Sequence, residues 1–78
     1  MNLRQLLEEV ASGRRGFKAP DGDLDGFQSL AELIIDAGDS GYLEGVKPHK
    51  ESYTGRRLYA VVIVNGLTEA GRDYLTES

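Results

Sequence analysis

The spacing of apolar residues between positions 27 and 37 limits what this chain can fold into more than any other feature. At about 100° per residue, a helix here carries apolar side chains along one face and on both flanks of that face: Phe27, Leu30, Ala31, Ile34 and Ala37, with Leu33 and Ile35 beside them. Only a narrow polar arc remains, so the helix must pack on more than one side. We predict a central core helix over residues 26–37, with Asp25 as its N-cap and a stop at Gly38 or Gly41.

Two more helices are predicted, one before and one after this core helix. Near the start of the sequence, apolar residues follow the i, i+3, i+4, i+7 spacing of one helical face: Leu3, Leu6, Leu7 and Val10. Asn2 can cap this helix and Gly13 can end it. The last helix is predicted over residues 69–75, with Thr68 as its cap. Its inward-facing residues are expected to be Leu67, Ala70, Tyr74 and Leu75.

Residues 13–26, between the first two helices, are expected to form a loop. They include four glycines and Pro20, which disfavour a long helix. Phe17 and Leu24 are the only large apolar residues here, and we expect both side chains to be buried against the core and to hold the loop in place. The pattern leaves open whether a single helical turn forms at residues 23–26.

A β-hairpin is predicted between the core helix and the last helix. Residues 57–64 are rich in β-branched and aromatic types, which favour a strand. Alternation predicts that one face of this strand carries Tyr59, Val61 and Ile63, and the other carries Leu58, Ala60, Val62 and Val64. Residues 42–47 are predicted to form a shorter strand, and residues 48–55 are predicted to form a solvent-exposed hairpin tip.

The order of these elements predicts the fold class. A two-stranded hairpin is not stable alone and must lie on the helices. We therefore predict a single α+β domain over residues 1–78 with a winged-helix-like layout. It has about three helices and a two- or three-stranded antiparallel sheet, and the hairpin is the wing.

Composition narrows the broad class of the protein. The chain has 78 residues and no cysteine, which fits one small domain in a reducing compartment. The apolar run at residues 58–64 is far shorter than the roughly 20 residues that span a bilayer. The first residues lack the pattern of a signal peptide. We expect a cytoplasmic protein with no membrane partner.

Two segments on either side of the hairpin resemble a known class of proteins. They are Gly-Tyr-Leu-Glu-Gly-Val at 41–46 and Gly-Leu-Thr-Glu-Ala-Gly-Arg-Asp-Tyr-Leu at 66–75. They are similar to small bacterial and phage winged-helix proteins of uncharacterised function. In those families a helix ends in Gly-Tyr-Ile/Leu, and the wing is followed by Leu/Ile-Thr-x-x-Gly-x-x-Tyr/Phe-Leu. The similarity covers nearly the whole chain from Leu3 onward.

This resemblance implies a winged-helix fold, which often binds DNA and sometimes binds only other proteins. One departure from the pattern matters for function. The Gly- and Asp-rich residues 13–26 stand where a helix-turn-helix has its second helix. The departure argues against conventional docking of the core helix in the major groove. That helix also has a polar face with two carboxylates, at Glu32 and Asp36, which would meet phosphates unfavourably.

Charge is segregated along the chain, although the net charge is −4. Residues 27–45 contain no Lys or Arg, whereas the wing region is basic. The wing candidates for nucleic-acid contact are Lys47, His49, Lys50, Arg56 and Arg57, and a second basic group comprises Arg14, Arg15 and Lys18. Such residues can contact the phosphates of double-stranded DNA. The alternative is that hairpin charges only provide solubility and protect strand edges.

The segment 21–32 also matches the oxygen pattern of an EF-hand calcium loop. Oxygen-bearing residues occupy positions one, three, five, nine and twelve, with Gly26 at position six: Asp21, Asp23, Asp25, Ser29 and Glu32. Gln28 stands where such loops carry an aliphatic residue, and Pro20 would fall inside the entering helix. An Asp-Gly turn followed by a capped helix explains the same residues without a metal, so we predict no metal site or cofactor.

No catalytic residue is predicted, and we expect a binding module rather than an enzyme. His49 is the only histidine, and it falls on a predicted exposed tip without a positioned partner. The alternative to DNA binding is protein–protein interaction or self-association. One face of the sheet, or the open edge of strand 57–64, can pair with a protein partner or a second copy unless the last helix covers it.

Overall fold

The structure is a computed structural model that describes residues 1–20 and 22–77, except for the side chain of Tyr53. That part of the chain contains three helices and five strands. In chain order these are α1 (Leu3–Ala11), β1 (Gly16–Lys18), α2 (Leu24–Asp39), β2 (Leu43–Glu44), β3 (Lys47–Tyr53), β4 (Arg56–Ile63), β5 (Gly66–Leu67) and α3 (Glu69–Glu77). A three-stranded antiparallel sheet has the order β1-β4-β3, and β2 pairs with β5. The predicted α+β class is confirmed, and the layout is compatible with a winged-helix-like fold.

The core lies between α1, α2 and the inner side of the larger sheet. Phe17 of β1 stands directly opposite Val62 of β4, and both side chains are fully buried. The predicted core faces of the two helices supply most of the rest: Leu6, Leu7 and Val10 from α1, and Phe27, Ala31, Ile34 and Ala37 from α2. Burying one large apolar side chain contributes about 1.5–3 kcal/mol, so this cluster is the main source of stability.

The cap of α1 is as predicted, whereas the cap of α2 differs. Asn2 and Gln5 form a capping box at the start of α1. In α2 the cap is Asp23, whose carboxylate accepts a hydrogen bond from the backbone N–H of Gly26 at 3.2 Å. The predicted cap Asp25 lies in the first turn instead, where a negative charge interacts favourably with the helix dipole.

The segment between α1 and α2 contains a strand that the sequence pattern did not predict. β1 pairs with β4 through Gly16–Ile63, Phe17–Val62 and Lys18–Val61. Phe17 pins this segment to the core as expected, but Leu24 is only partly buried and begins α2. Apart from Asp21, which lies outside the described residues, no helix precedes α2 in this segment.

The hairpin is longer than predicted, because residues expected to form its tip belong to β3. The turn is Thr54-Gly55, where φ is 50° and 80°, and positive φ at both central residues is typical of a tight two-residue hairpin turn. Residues 47–52 of β3 are all exposed, so the polar composition that indicated a loop reflects an exposed strand. The prediction of a tip over residues 48–55 is therefore wrong.

β4 is the central strand of the larger sheet, so the predicted open edge at residues 57–64 is wrong. Its alternation is as predicted at Val62, which is buried, and at Ile63, which is 43% exposed, and Val64 directly after the strand is buried as well. Between the pairs His49–Val61 and Lys50–Tyr59, β4 has one extra residue, Ala60. This bulge interrupts the alternation, and Tyr59 packs against the core.

α3 is held against the chain just before β2. The hydroxyl of Thr68 accepts from the N–H of Gly71 and donates to the carbonyl oxygen of Gly41, so the predicted cap is confirmed. Ala70, which was predicted to face inward, is exposed, and Gly71 is buried instead. A Cβ atom at Gly71 would overlap with the carbonyl oxygen of Tyr42. Glycine at this position therefore permits the close approach of α3.

We predict that Gly71→Ala lowers the free energy of unfolding by about 1–3 kcal/mol, the usual cost of overpacking. Urea denaturation followed by circular dichroism measures this change. Gly16→Ala is the matched control, because a Cβ there meets nothing within 4 Å. Equal stability of the two variants would contradict the close packing of α3 on Tyr42.

Candidate nucleic-acid interface

The pairing of β1 with β4 brings Lys18 to the same sheet face as basic residues of the wing. Lys18 is opposite Val61, and Val61 is opposite His49. Two residues away along each strand, Gly16 is opposite Ile63, which is opposite Lys47. Residues directly opposite one another share a face, and so do residues two apart in one strand. The sequence placed Lys18 in a separate loop group, so it did not reveal this grouping.

This outer face has cationic groups on both edges and an apolar centre. We call it the basic sheet face, and its six residues are Gly16, Lys18, Lys47, His49, Val61 and Ile63. Neighbouring strands lie about 4.8 Å apart, so the backbones of Lys18 and His49 are separated by about 10 Å. Lys18, Lys47 and His49 are exposed. The charges of the two lysines are therefore available to a ligand that lies across the sheet.

The other wing candidates lie beyond the bulge, in the outer half of the hairpin. The ammonium of Lys50 lies 4.7 Å from the centre of the Tyr59 ring, a cation–π contact that holds this side chain. Arg56 approaches Asp25 at 4.0 Å, but both side chains are largely exposed, so this ion pair is weak. Arg57 is exposed as well. The hairpin thus carries further cations, but Lys50 and Arg56 lie beside Tyr59 and Asp25 rather than on the basic sheet face.

Arg14 and Arg15 instead make local contacts next to α1. The guanidinium of Arg15 donates to the carbonyl oxygen of Val10 at 2.7 Å, in the last turn of the helix. Arg14 pairs with Glu9 at 3.2 Å, and its guanidinium lies 4.2 Å from the centre of the Phe17 ring. These contacts give both arginines a structural role. Of the second basic group, only Lys18 therefore lies on the basic sheet face, whereas Arg14 and Arg15 lie next to α1.

The charge of the protein is divided between this sheet and the rest of the molecule. β1, β3 and β4 together carry five Lys or Arg residues and one Glu, a net charge of +4 with His49 neutral. The remaining residues carry four Lys or Arg and twelve Asp or Glu, a net charge of −8. The negative overall charge therefore does not describe the surface that the sheet presents.

α2 contributes the opposite charge along a single exposed stripe. At about 100° per residue, the residues at i, i+4, i+7, i+11 and i+14 fall on one face, which we call the acidic stripe: Asp25, Ser29, Glu32, Asp36 and Asp39. All five are exposed. The stripe points away from the buried face of α2. Its carboxylates would repel phosphates, which argues against α2 as a groove-reading helix.

Gln28 has a role that the sequence pattern did not predict. Its side-chain amide donates to the carbonyl oxygen of Tyr59 at 2.8 Å and accepts from the N–H of Tyr59 at 2.9 Å. β1 has ended at this point, after Ala19 N–H donates to the Ala60 carbonyl oxygen at 2.9 Å. The amide of Gln28 thus continues the ladder where β1 stops, and it fixes α2 to the base of the wing.

The described part of the segment 21–32 does not form an EF-hand loop. Such a loop must wrap around the ion, but Asp25, Ser29 and Glu32 lie within α2, and Asp23 caps it. The first position, Asp21, falls outside the described residues. Among those residues, no group of three or more His, Cys, Asp or Glu side chains is placed to hold a metal ion.

Comparison of the chain with protein families, curated proteins and solved structures finds no match. Among the described residues, no helix is both long and apolar enough to cross a membrane.

We predict that Gln28→Ala increases the hydrogen-exchange rate of the Tyr59 amide and lowers stability by about 1–3 kcal/mol, because two backbone groups lose their partner. NMR-detected exchange and urea denaturation measure these effects. Gln28→Glu is the informative control, since its carboxylate can still accept from the Tyr59 N–H but repels the Tyr59 carbonyl oxygen. An unchanged exchange rate in Gln28→Ala would show that the contact does not hold β4.

Proposed function

We propose that the protein is a small DNA-binding module that contacts the phosphate backbone through the basic sheet face and the wing. The observation that carries this proposal is the strand register, which aligns Lys18 with His49 and Lys47 with Ile63 on one exposed face. Cations on both edges of the sheet fit a ligand with regularly repeating negative charge. Duplex DNA has one such charge per about 1.7 Å of its axis.

The position of the negative charges supports the same function. The acidic stripe lies on the side of α2 that faces away from the core, whereas the basic sheet face lies on the outer side of the sheet. A polyanion on the basic sheet face therefore does not meet these carboxylates, although Arg56 of the wing lies 4.0 Å from Asp25. The uneven charge distribution also orients the protein as it approaches DNA, which raises the association rate at low salt.

The expected binding is sequence-independent and strongly dependent on salt. Lysine contacts to phosphate position a protein on DNA but carry no sequence information. Each neutralised phosphate adds about 0.9 to the slope of log affinity against log salt concentration. Contacts from all five Lys and Arg residues of the sheet would give a slope with a magnitude of about 4.5. Neither a preferred DNA sequence nor base-reading contacts are part of the proposal.

We predict that Lys47→Ala weakens binding to random-sequence duplex DNA several-fold and reduces the salt slope by about 1. Fluorescence anisotropy at several salt concentrations measures both quantities. Arg72→Ala is the matched control, because it removes the same charge from an exposed position on α3, outside the sheet. Equal losses in the two variants would indicate that only net charge matters and would contradict a defined interface.

We also expect the double variant Arg56→Ala with Arg57→Ala to abolish measurable DNA binding at physiological salt while the protein stays folded. Both side chains are exposed on the wing, so their loss removes phosphate contacts without opening the core. A filter-binding assay measures binding, and the thermal melting temperature reports folding. Retention of wild-type affinity in this variant would exclude the wing from the interface.

A further inference from the structure

The basic sheet face and the acidic stripe complement one another in charge, yet they cannot meet within one molecule. α2 packs on the core through Phe27, Ala31 and Ile34. The acidic stripe is centred on the opposite side of that helix, and the basic sheet face is turned away from the same core. Any contact between the two surfaces therefore requires a second molecule.

The acidic stripe is longer than the basic sheet face. From Asp25 to Asp39 the stripe spans fourteen residues of rise, which is about 21 Å at 1.5 Å per residue. On β3 the basic sheet face runs from Lys47 to His49, which is about 7 Å at 3.3 Å per residue. Part of the stripe is therefore enough to cover Lys18 and Lys47, and the contact is small.

The composition of each surface favours this pairing over pairing of like surfaces. α2 carries four carboxylates and no Lys or Arg, whereas the larger sheet carries Glu51 as its only acidic residue. Two sheet faces would repel each other, and so would two stripes. Ile63, 43% exposed at the centre of the basic sheet face, would be shielded from water by a helix that lies across it.

We propose that copies of this chain associate head to tail, with the acidic stripe of one molecule on the basic sheet face of the next. The two contact surfaces differ and lie on opposite sides, so the interface is heterologous and the assembly is open-ended. Exposed ion pairs are individually weak, so the association is weak and occurs at high protein concentration and low salt. DNA competes for the same sheet face and releases single copies.

Sedimentation velocity of the wild-type chain and two neutralised variants tests this proposal. The sheet variant carries Lys18→Gln and Lys47→Gln, and the helix variant carries Glu32→Gln, Asp36→Asn and Asp39→Asn. At low salt, the wild type is expected to sediment faster as its concentration rises, and salt at about 0.15 M should remove this effect by screening. Each variant alone is expected to remain monomeric.

A mixture of the two variants gives the sharpest result. The sheet variant keeps an intact stripe and the helix variant keeps an intact basic sheet face, so together they should form a closed 1:1 complex. A wild type that stays monomeric at every concentration, or a mixture that forms no complex, overturns the proposal. Self-association that is unchanged in either variant overturns it too, because a different surface must then be responsible.

DNA binding is measured separately with the helix variant, whose sheet is unaltered. This variant should bind DNA at least as tightly as the wild type, since it has lost negative charge and the competing self-contact. Loss of self-association with retained DNA binding therefore separates the two activities. Association that persists in the wild type when DNA saturates the sheet face would also contradict the proposal, because the two ligands must compete.

Discussion

The pairing of β1 with β4 is the contact on which the rest of this structure depends. It places Phe17 against Val62 at the centre of the core, and it makes β4 an inner strand rather than an edge. The same pairing carries Lys18 onto the face that holds Lys47 and His49. Three residues of β1 therefore link the stability of the core to the chemistry of the surface.

The two sides of the molecule have opposite character as a result. One is a sheet with cations on both edges, and the other is a helix whose exposed stripe is acidic. In a winged-helix-like layout the helix before the hairpin is the expected groove reader, but here its charge opposes that role. The hairpin and the sheet remain as the surface suited to a polyanion, and Gln28 fixes the hairpin to α2.

Much of the fold could be predicted from the sequence, because the core helices and β4 have strong periodic patterns. Leu6, Val10, Ile34 and Val62 are buried as their spacing indicated. β1 could not be found this way, since three residues are too few to show a period. β3 was missed because its residues 47–52 are exposed on both faces of the strand, so its composition resembles that of a loop. The basic residues of the site were visible, but the alignment of Lys18 with His49 depends on strand register, which composition does not encode. The role of Gln28 could not be predicted either, because its hydrogen-bond partners are backbone atoms of Tyr59, whose position depends on the fold.

The most direct test of this account is an NMR titration of isotope-labelled protein with random-sequence duplex DNA at low salt. The account predicts that amide shifts concentrate at Lys18, Lys47, His49 and Lys50, while the amides of Glu32, Asp36 and Asp39 stay in place. Shifts centred on α2, or no shifts at all, would contradict the assignment of the sheet face as the DNA-binding surface.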